Sequence, residues 1–343
     1  MVDTQKAGTL SAILLGIDQG SSHTWAVAAC TDGELLALGK APGACHALTG
    51  MDRAMGAFRD ASQEAMVQAG LSKVDFIFGG LTGADWDDEF PLLEHHIRRI
   101  GICERVRVEN DAIIALRGGT ERKYGVILIA GSGGNCAVRA PDGRQFIYGY
   151  FWDGALQGGG ALARRVLESV YRSYTGQGPE TSLTGSVLQY FGLSNVVELM
   201  RADVEKHLSS AKLLDLALIL FEEDLCGDGI AGRIIDSFAT GYAEAAVVWL
   251  RRFGMTDLEM DVVLSGSIFK ARTPRLVETV AAGILAAAPQ ARLVNAHYEP
   301  VVGAVLLGLE EMGIEVTAQI RANIEASAGR LGLIRPKGGT AHL

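Results

Sequence analysis

Short apolar runs separated by polar turns open this chain. Residues 14–18, 25–30 and 34–39 are mostly apolar, with Gly20-Ser21-Ser22 in the first turn and Asp32-Gly33 in the second. Apolar runs of this length predict β-strands, and an Asp-Gly pair between two of them is typical of a hairpin. The segment therefore predicts three strands joined by two tight turns.

The same pattern returns about a hundred residues later. Apolar residues 126–130 precede Gly131-Ser132-Gly133, and residues 135–138 follow, with Asp142-Gly143 before the run 145–149. Glycine and serine at such turns let backbone N–H groups approach phosphate oxygens closely. Two copies of one unit predict a duplicated α/β fold whose two glycine loops face each other across a nucleotide cleft.

The remainder of the chain alternates helical and strand patterns. Further strands are predicted at residues 74–78, 105–108, 261–265 and 291–294. Apolar residues at helical spacing predict helices over 51–69, 91–100, 112–116, 161–174, 186–190, 196–201, 211–221, 228–252, 274–287, 301–312 and 317–331. Hairpins mixed with helical crossovers predict mixed sheets.

No Pro- or Ser-rich linker divides the chain. We place an N-terminal domain at residues 1–115, a C-terminal domain at 116–316, and a helix with a tail at 317–343. The helix and tail are expected to pack back on the N-terminal domain.

Composition narrows the class of protein. The 343 residues suffice for two domains, and the net charge of −9 gives no basic surface for nucleic acid or an anionic membrane. The five cysteines include no Cys-x-x-Cys pair, which argues against a disulfide framework and a zinc ribbon. With no export or membrane signal near the N-terminus, we expect a cytoplasmic protein.

Asp18 follows an apolar run and precedes the first glycine loop. Its carboxylate could hold Mg²⁺ directly or through water, while Gly16, Gly20, Ser21 and Ser22 bind phosphate. The alternative is a hairpin turn with a solvated aspartate. The second loop, Gly131-Ser132-Gly133, favours the phosphate site.

Asp111 lies where the strand over 105–108 runs into the helix over 112–116. A carboxylate displayed at such a junction could accept the proton of an attacking hydroxyl in phosphoryl transfer. The alternative is an aspartate that caps the helix, a very common role at this position. The sequence alone leaves both roles open.

A third glycine turn, Gly266-Ser267, follows the apolar strand over 261–265. A nucleoside lying on such a turn needs a surface without side chains. A simple left-handed turn explains the glycine equally well.

Together these segments resemble the sugar kinase/Hsp70/actin superfamily and, more narrowly, the BadF/BadG-type ATPase and N-acetylglucosamine kinase family. The resemblance runs from about Leu14 to Met312. It is carried by residues 16–24, 80–85, 110–112, 129–133, 264–269 and 301–304. It implies a duplicated actin-like (ribonuclease H-like) ATPase fold with two domains around a nucleotide cleft, with Asp111 catalytic, ATP and Mg²⁺ as cofactors, and a homodimer.

The resemblance also implies a kinase for an amino sugar such as N-acetylglucosamine or glucosamine, or a related sugar. Candidate substrate-binding residues are His46, Thr82, Asn110, Asp153 and Gln157. The family's Gly-Asp-Glu-Gly-Ser or Gly-Asp-Trp-Gly-Gly segment is altered, because Leu156 stands where the acidic residue is expected. Asp153, three residues earlier, is the candidate replacement if the loop shifts.

Two alternatives of other classes stay open. One is an ATPase that acts as an activator, as in dehydratase activators of the same family, whose subunits share a cluster bound by cysteines. No cysteine here is placed to match that pattern. The other is a degenerate kinase that binds nucleotide or sugar as a sensor, which the loss of the acidic residue at Leu156 suggests.

Overall fold

Strands and helices follow the predicted pattern in the computed structural model, which describes residues 12–335. The strands are β1 (Ile13–Gln19), β2 (His23–Cys30), β3 (Leu35–Pro42), β4 (Phe76–Leu81), β5 (Val106–Asn110), β6 (Gly125–Ala130), β7 (Gly134–Arg139), β8 (Gln145–Ile147), β9 (Met260–Ser265) and β10 (Ala291–Asn295). The helices are α1 (His46–Thr49), α2 (Met51–Gln68), α3 (Glu89–Arg98), α4 (Asp111–Gly119), α5 (Gly158–Tyr174), α6 (Leu183–Phe191), α7 (Val196–Val204), α8 (Ser210–Leu214), α9 (Leu216–Leu225), α10 (Gly229–Arg252), α11 (Arg275–Leu285), α12 (Pro300–Glu311) and α13 (Ala318–Leu331).

Two five-stranded sheets repeat one topology. The first has the strand order β3-β2-β1-β4-β5, and the second has β8-β7-β6-β9-β10. In both, the three strands of the hairpin unit pair antiparallel, and the first of them pairs parallel with the next strand along the chain. The predicted duplication and the mixed sheets are therefore confirmed.

Element boundaries match best where helices are long and periodic. The helices predicted over 51–69, 228–252 and 317–331 are confirmed to within one residue at each end. The predicted strand over 74–78 instead begins at Phe76 and continues to Leu81. Gly80 lies inside this strand, and a Cβ there would lie 2.4 Å from Ile114 Cδ1, so close packing against α4 requires the glycine.

The chain divides into two units whose limits differ from the predicted domains. The first unit holds the described residues up to Lys123 together with those from Ala296 onward, and the second runs from Tyr124 to Asn295. The predicted limits at residues 115 and 316 are therefore corrected. The prediction assumed that each domain is one continuous stretch, whereas α12 returns to the first unit and packs on β1 and α4.

Helix α13 also belongs to the first unit, where the Leu35 amide donates to Ser327 Oγ at 3.0 Å. Residues 336–343 of the predicted helix and tail lie outside the described residues. Each unit has its own apolar core, with Ile17, Phe58 and Ile77 in the first and Val166, Phe238 and Val262 in the second. No helix within residues 12–335 combines the length and apolar character needed to cross a bilayer.

Close packing of α12 on α4 leads to a stability prediction. A Cβ at Gly303 would lie 1.8 Å from the Ile114 carbonyl oxygen, so Gly303→Ala must push the two helices apart. We expect a loss of about 3 kcal/mol or more in the free energy of unfolding. Gly56→Ala is the matched control, because this glycine on α2 has no atom within 4 Å of its added Cβ.

The control should be stabilised by about 0.5–1 kcal/mol through helix propensity. Chemical denaturation of both variants measures the two values. Equal stabilities for Gly303→Ala and the wild type would show that this approach of α12 to α4 is wrong.

Candidate active site

Three parallel strands of the first unit end at one edge of their sheet. The register pairs Gln19 of β1 with Leu81 of β4, and Leu81 with Asn110 of β5. Asp18, Thr82 and Asp111 are therefore brought to this edge, although about 90 residues separate the first from the last. Such an edge is where open α/β sheets bind ligands.

Asp111 is the first residue of α4 and not its cap. The cap is Asn110, whose Oδ1 accepts a hydrogen bond from the Ala112 amide at 2.8 Å. The alternative that assigned the capping role to Asp111 is therefore wrong. The Asp111 side chain is available for chemistry at the sheet edge.

Electrostatics at this edge favour the protonated form of Asp111. Burial, followed by the negative charges of Asp18 and Asp85, raises the pKa of Asp111 to about 7. Hydrogen bonds from the Thr82 hydroxyl and the Ala112 amide act in the opposite direction. A carboxylate with a pKa near neutrality suits a general base.

Asp18 is buried near the end of β1, with 7% of its side chain exposed, so the alternative of a solvated aspartate is wrong. His23 Nε2 lies 3.2 Å from Asp18 Oδ2, and this hydrogen bond raises the pKa of His23. The Gly20 amide donates to the His23 carbonyl at 2.9 Å and closes the turn. Ser21 and Ser22 are exposed at its tip.

Gly16 has a packing requirement that the sequence did not predict. It lies inside β1, where a Cβ would meet Val305 Cγ2 at 2.6 Å and the Val305 amide nitrogen at 2.9 Å. Close packing of α12 against the strand therefore explains this glycine.

A polar network beside Asp111 was not predicted. Asn110 Nδ2 donates to Asp85 Oδ1 at 2.7 Å, and Glu89 Oε2 accepts from the Asp85 amide at 2.8 Å. His46 Nε2 lies 3.2 Å from Glu89 Oε1, with 9% of the His46 side chain exposed. Burial and then the charge of Glu89 raise the pKa of Asp85. His46 and Asn110 thus belong to one connected region, which Asp85 and Glu89 complete. The Thr82 side chain joins it through its hydrogen bond to Asp111.

In the second unit, the turn between β6 and β7 is held by backbone groups. The Gly131 amide donates to the Gly133 carbonyl at 2.8 Å, and the Gly159 amide donates to the Gly131 carbonyl at 2.7 Å. Gln157 Oε1 accepts from the Gly134 amide at 3.3 Å. Gln157, a predicted substrate contact, therefore supports this loop. Ser132 lies between the two glycines and is exposed.

Gly266 brings the third glycine turn against that loop. It has φ +103°, a left-handed backbone conformation, and a Cβ there would lie 2.1 Å from the Ala130 carbonyl oxygen. The turn and the loop are adjacent because β9 pairs parallel with β6 and brings Ser265 beside Ile129. Ser267 follows directly at the start of a short 3₁₀ turn.

The segment that departs from the family pattern is structural. Leu156 is buried in the core of the second unit, and its side chain packs against Gly241. Asp153 is exposed, and its Oδ1 accepts from the Ala155 amide at 2.8 Å, which caps a short turn. An acidic residue at position 156 would be buried among apolar groups, which explains the leucine. Within the described residues, no group of three or more His, Cys, Asp or Glu side chains is arranged as a metal site.

Two sheets of one topology, each with a glycine turn after its first strand, define the actin-like ATPase fold. This chain belongs to the BadF/BadG/BcrA/BcrD ATPase family, whose sequence model matches residues 15–308.

Two relatives of this chain are named as sugar kinases. The chain is 26% identical over 316 residues to N-acetyl-D-glucosamine kinase of Dictyostelium discoideum, covering 87% of this chain and 98% of that protein. It is 26% identical over 232 residues to N-acetylmuramic acid/N-acetylglucosamine kinase of Clostridium acetobutylicum, covering 66% of this chain and 75% of that protein. A solved structure from Chromobacterium violaceum, described as a candidate N-acetylglucosamine kinase, has TM-score 0.63 at 21% identity and covers 87% of this chain and 99% of that one. This last likeness supports the fold.

Proposed function

We propose that this protein is an ATP-dependent kinase that transfers the γ-phosphate to a hydroxyl of an amino sugar such as N-acetylglucosamine or glucosamine, or a related sugar. The observation that carries the proposal is Asp111, a carboxylate with a pKa of about 7 at the sheet edge that also holds Asp18 and Thr82. The kinase names of the relatives support it.

Asp111 is the proposed base. Transfer of a phosphoryl group to an alcohol requires positioning and one group that accepts the hydroxyl proton as the bond to phosphorus forms. In its ionised form Asp111 accepts that proton. Thr82 and Ala112 donate hydrogen bonds that favour the ionised form and orient it.

Asp18 is the proposed Mg²⁺ ligand, directly or through water. Mg²⁺ prefers hard oxygen donors and is usually held by one or two carboxylates and the phosphates of the nucleotide, and the buried Asp18 carboxylate provides such a donor. When bound, the ion would neutralise charge on the β- and γ-phosphates. Gly20, Ser21 and Ser22 in the first unit, and Gly131, Ser132 and Gly133 in the second, are the proposed phosphate-binding residues.

The remaining proposed contacts bind the nucleoside and the acceptor sugar. Gly266 and Ser267 are proposed to carry the nucleoside. Thr82, Asn110 and His46 are proposed to bind the sugar, with Asp85 and Glu89 fixing the positions of Asn110 and His46. Asp153 stays a candidate sugar contact through its second carboxylate oxygen.

A homodimer and a cytoplasmic location complete the proposal. The homodimer rests on the family resemblance, and the location rests on the scattered cysteines, which form no disulfide framework. The alternative function is an ATPase that activates or regulates another protein, or senses a sugar, without phosphorylating it. The connected polar side chains beside Asp111 favour the kinase, because such groups can orient a sugar, whereas a base with a raised pKa would serve the attack of water in an ATPase equally well.

The pH dependence of catalysis should report the ionisation of Asp111. Because only the ionised form accepts a proton, kcat/KM for the sugar should fall about tenfold per pH unit below about pH 7. Steady-state assays at saturating Mg-ATP measure this acidic limb. The acidic limb of kcat/KM should persist in His23→Gln, even if the maximal kcat/KM of this variant is lower. A limb that disappears with the histidine would assign the titration to His23 instead.

Coupled measurement of ADP release tests the proposal. The panel contains glucosamine, N-acetylglucosamine, other hexoses and polyols, each with Mg-ATP. We expect turnover that depends on one class of amino sugar and is lost in Asp111→Asn. ATP hydrolysis that no sugar stimulates would favour the regulatory alternative.

A further inference from the structure

A cavity lies in the second unit, on helices that carry none of the proposed catalytic residues. It has a volume of about 330 Å³ and is lined mainly by α5 and α10. Its lining shares no residue with the loop at residues 131–133 or the turn at residues 266–267. The volume is within the range of small-ligand sites.

Helical spacing explains why side chains of α5 and α10 line the same cavity. Arg165, Ser169 and Arg172 are four and three residues apart on α5, so they lie on one face of that helix. Arg233 and Ser237 are four residues apart on α10, and they line the same cavity. Arg165 Nη1 donates to Ser237 Oγ at 3.2 Å, which joins the two helices.

The cavity concentrates positive charge on an acidic protein. Among the described residues, no carboxylate lies within 4.0 Å of the guanidinium of Arg165, Arg172 or Arg233. Arg172 donates to the Gln177 carbonyl at 3.1 Å. Glu168, the acidic residue of the lining, pairs with Arg164 at 3.3 Å. Three arginines without a carboxylate partner thus share one cavity, in a chain of net charge −9.

Phosphate is the chemistry that fits. Guanidinium groups bind phosphate through paired hydrogen bonds, and an anion relieves the repulsion among three like charges. Ile230, Ile234 and Pro179 give the cavity an apolar side that suits a carbon skeleton. The negative net charge disfavours long polyanions, and a volume of about 330 Å³ suits a small molecule.

We propose that this cavity binds a small phosphorylated metabolite, with its phosphate held by Arg165, Arg172 and Arg233. The site is additional to the proposed nucleotide site.

Isothermal titration of the full chain with inorganic phosphate, and then with a hexose phosphate, tests the proposal. The triple variant Arg165→Gln, Arg172→Gln, Arg233→Gln should bind both ligands more weakly, on the order of a hundredfold. Phosphate bound at the nucleotide loops is common to the wild type and the variant, so the difference between them isolates the cavity. The hexose phosphate should bind more tightly than phosphate because it also contacts the apolar side.

A matched control removes the same charge elsewhere. Arg201→Gln, Arg251→Gln, Arg252→Gln changes three exposed arginines of the second unit outside the cavity, and we expect wild-type binding. Circular dichroism checks that the triple variants are folded. Arg233→Gln alone leaves the hydrogen bonds of Arg165 and Arg172 in place and should weaken binding about tenfold.

Three results would overturn the proposal. The cavity variant could bind phosphate as tightly as the wild type, or both triple variants could lose binding equally, which would indicate general electrostatics. A short single-stranded oligonucleotide that displaces the hexose phosphate, and whose own binding needs the three arginines, would point to a nucleic acid surface instead.

Discussion

Asp111→Asn is expected to lower kcat for sugar phosphorylation by about 10²–10⁴-fold while ATP affinity stays essentially unchanged. The amide occupies the same space but cannot accept the hydroxyl proton. Rapid-quench or steady-state assays measure kcat, and titration calorimetry measures ATP binding. A kcat near the wild-type value would remove Asp111 from the role of base.

The same substitution should stabilise the folded protein at alkaline pH. Between 3.8 and about 7 the unfolded carboxyl has lost its proton while the folded one keeps it, so wild-type stability falls as pH rises through this range and then levels off. Asparagine has no such dependence. We expect Asp111→Asn to gain roughly 2–4 kcal/mol over the wild type at pH 8, and much less at pH 4. Denaturant unfolding at the two pH values measures the difference, and equal gains at both would contradict the raised pKa.

Gly266→Ala should damage both the fold and nucleotide binding. The substitution places a side chain at φ +103° and a Cβ 2.1 Å from the Ala130 carbonyl, directly before the loop at residues 131–133. We expect a loss of about 3 kcal/mol or more in the free energy of unfolding. ATP affinity should fall by about tenfold or more, because the loop must move to admit the methyl group.

Gly254→Ala is the control for this variant. Gly254 also has a positive φ, +66°, but no atom lies within 4 Å of its added Cβ. Backbone strain alone should cost about 1 kcal/mol, with ATP affinity unchanged. If the two variants had equal effects on ATP affinity, close approach of Gly266 to the loop would not explain the result.

Local sequence patterns were enough to predict the strands, the glycine turns and the duplication of the fold. Glycine turns and apolar runs repeat in the same order, and this repeat translates directly into two sheets of one topology. The position of Asp111 after a strand and before a helix was enough to place it at the sheet edge. Its raised pKa depends on Asp18 and Asp85, and this part of the site needed the structure.

Packing over long sequence distances could not be predicted. Nothing in the composition of α12 indicates that it returns to the first unit, because its partner surface on α4 lies nearly 190 residues earlier. For the same reason the packing of Val305 against Gly16 could not be predicted. The network of His46, Glu89 and Asp85 joins two segments through hydrogen bonds that no spacing pattern reveals.

Direct detection of a sugar phosphate is the measurement that tests the kinase proposal most directly. The wild type and Asp111→Asn are incubated with Mg-ATP and the amino sugar that best stimulates ADP release, and ³¹P NMR identifies the products. The account predicts a phosphate monoester of the sugar, formed in equal amount to ADP, and almost none with Asp111→Asn. ADP and inorganic phosphate without any sugar phosphate, or equal ester formation by both proteins, would contradict it.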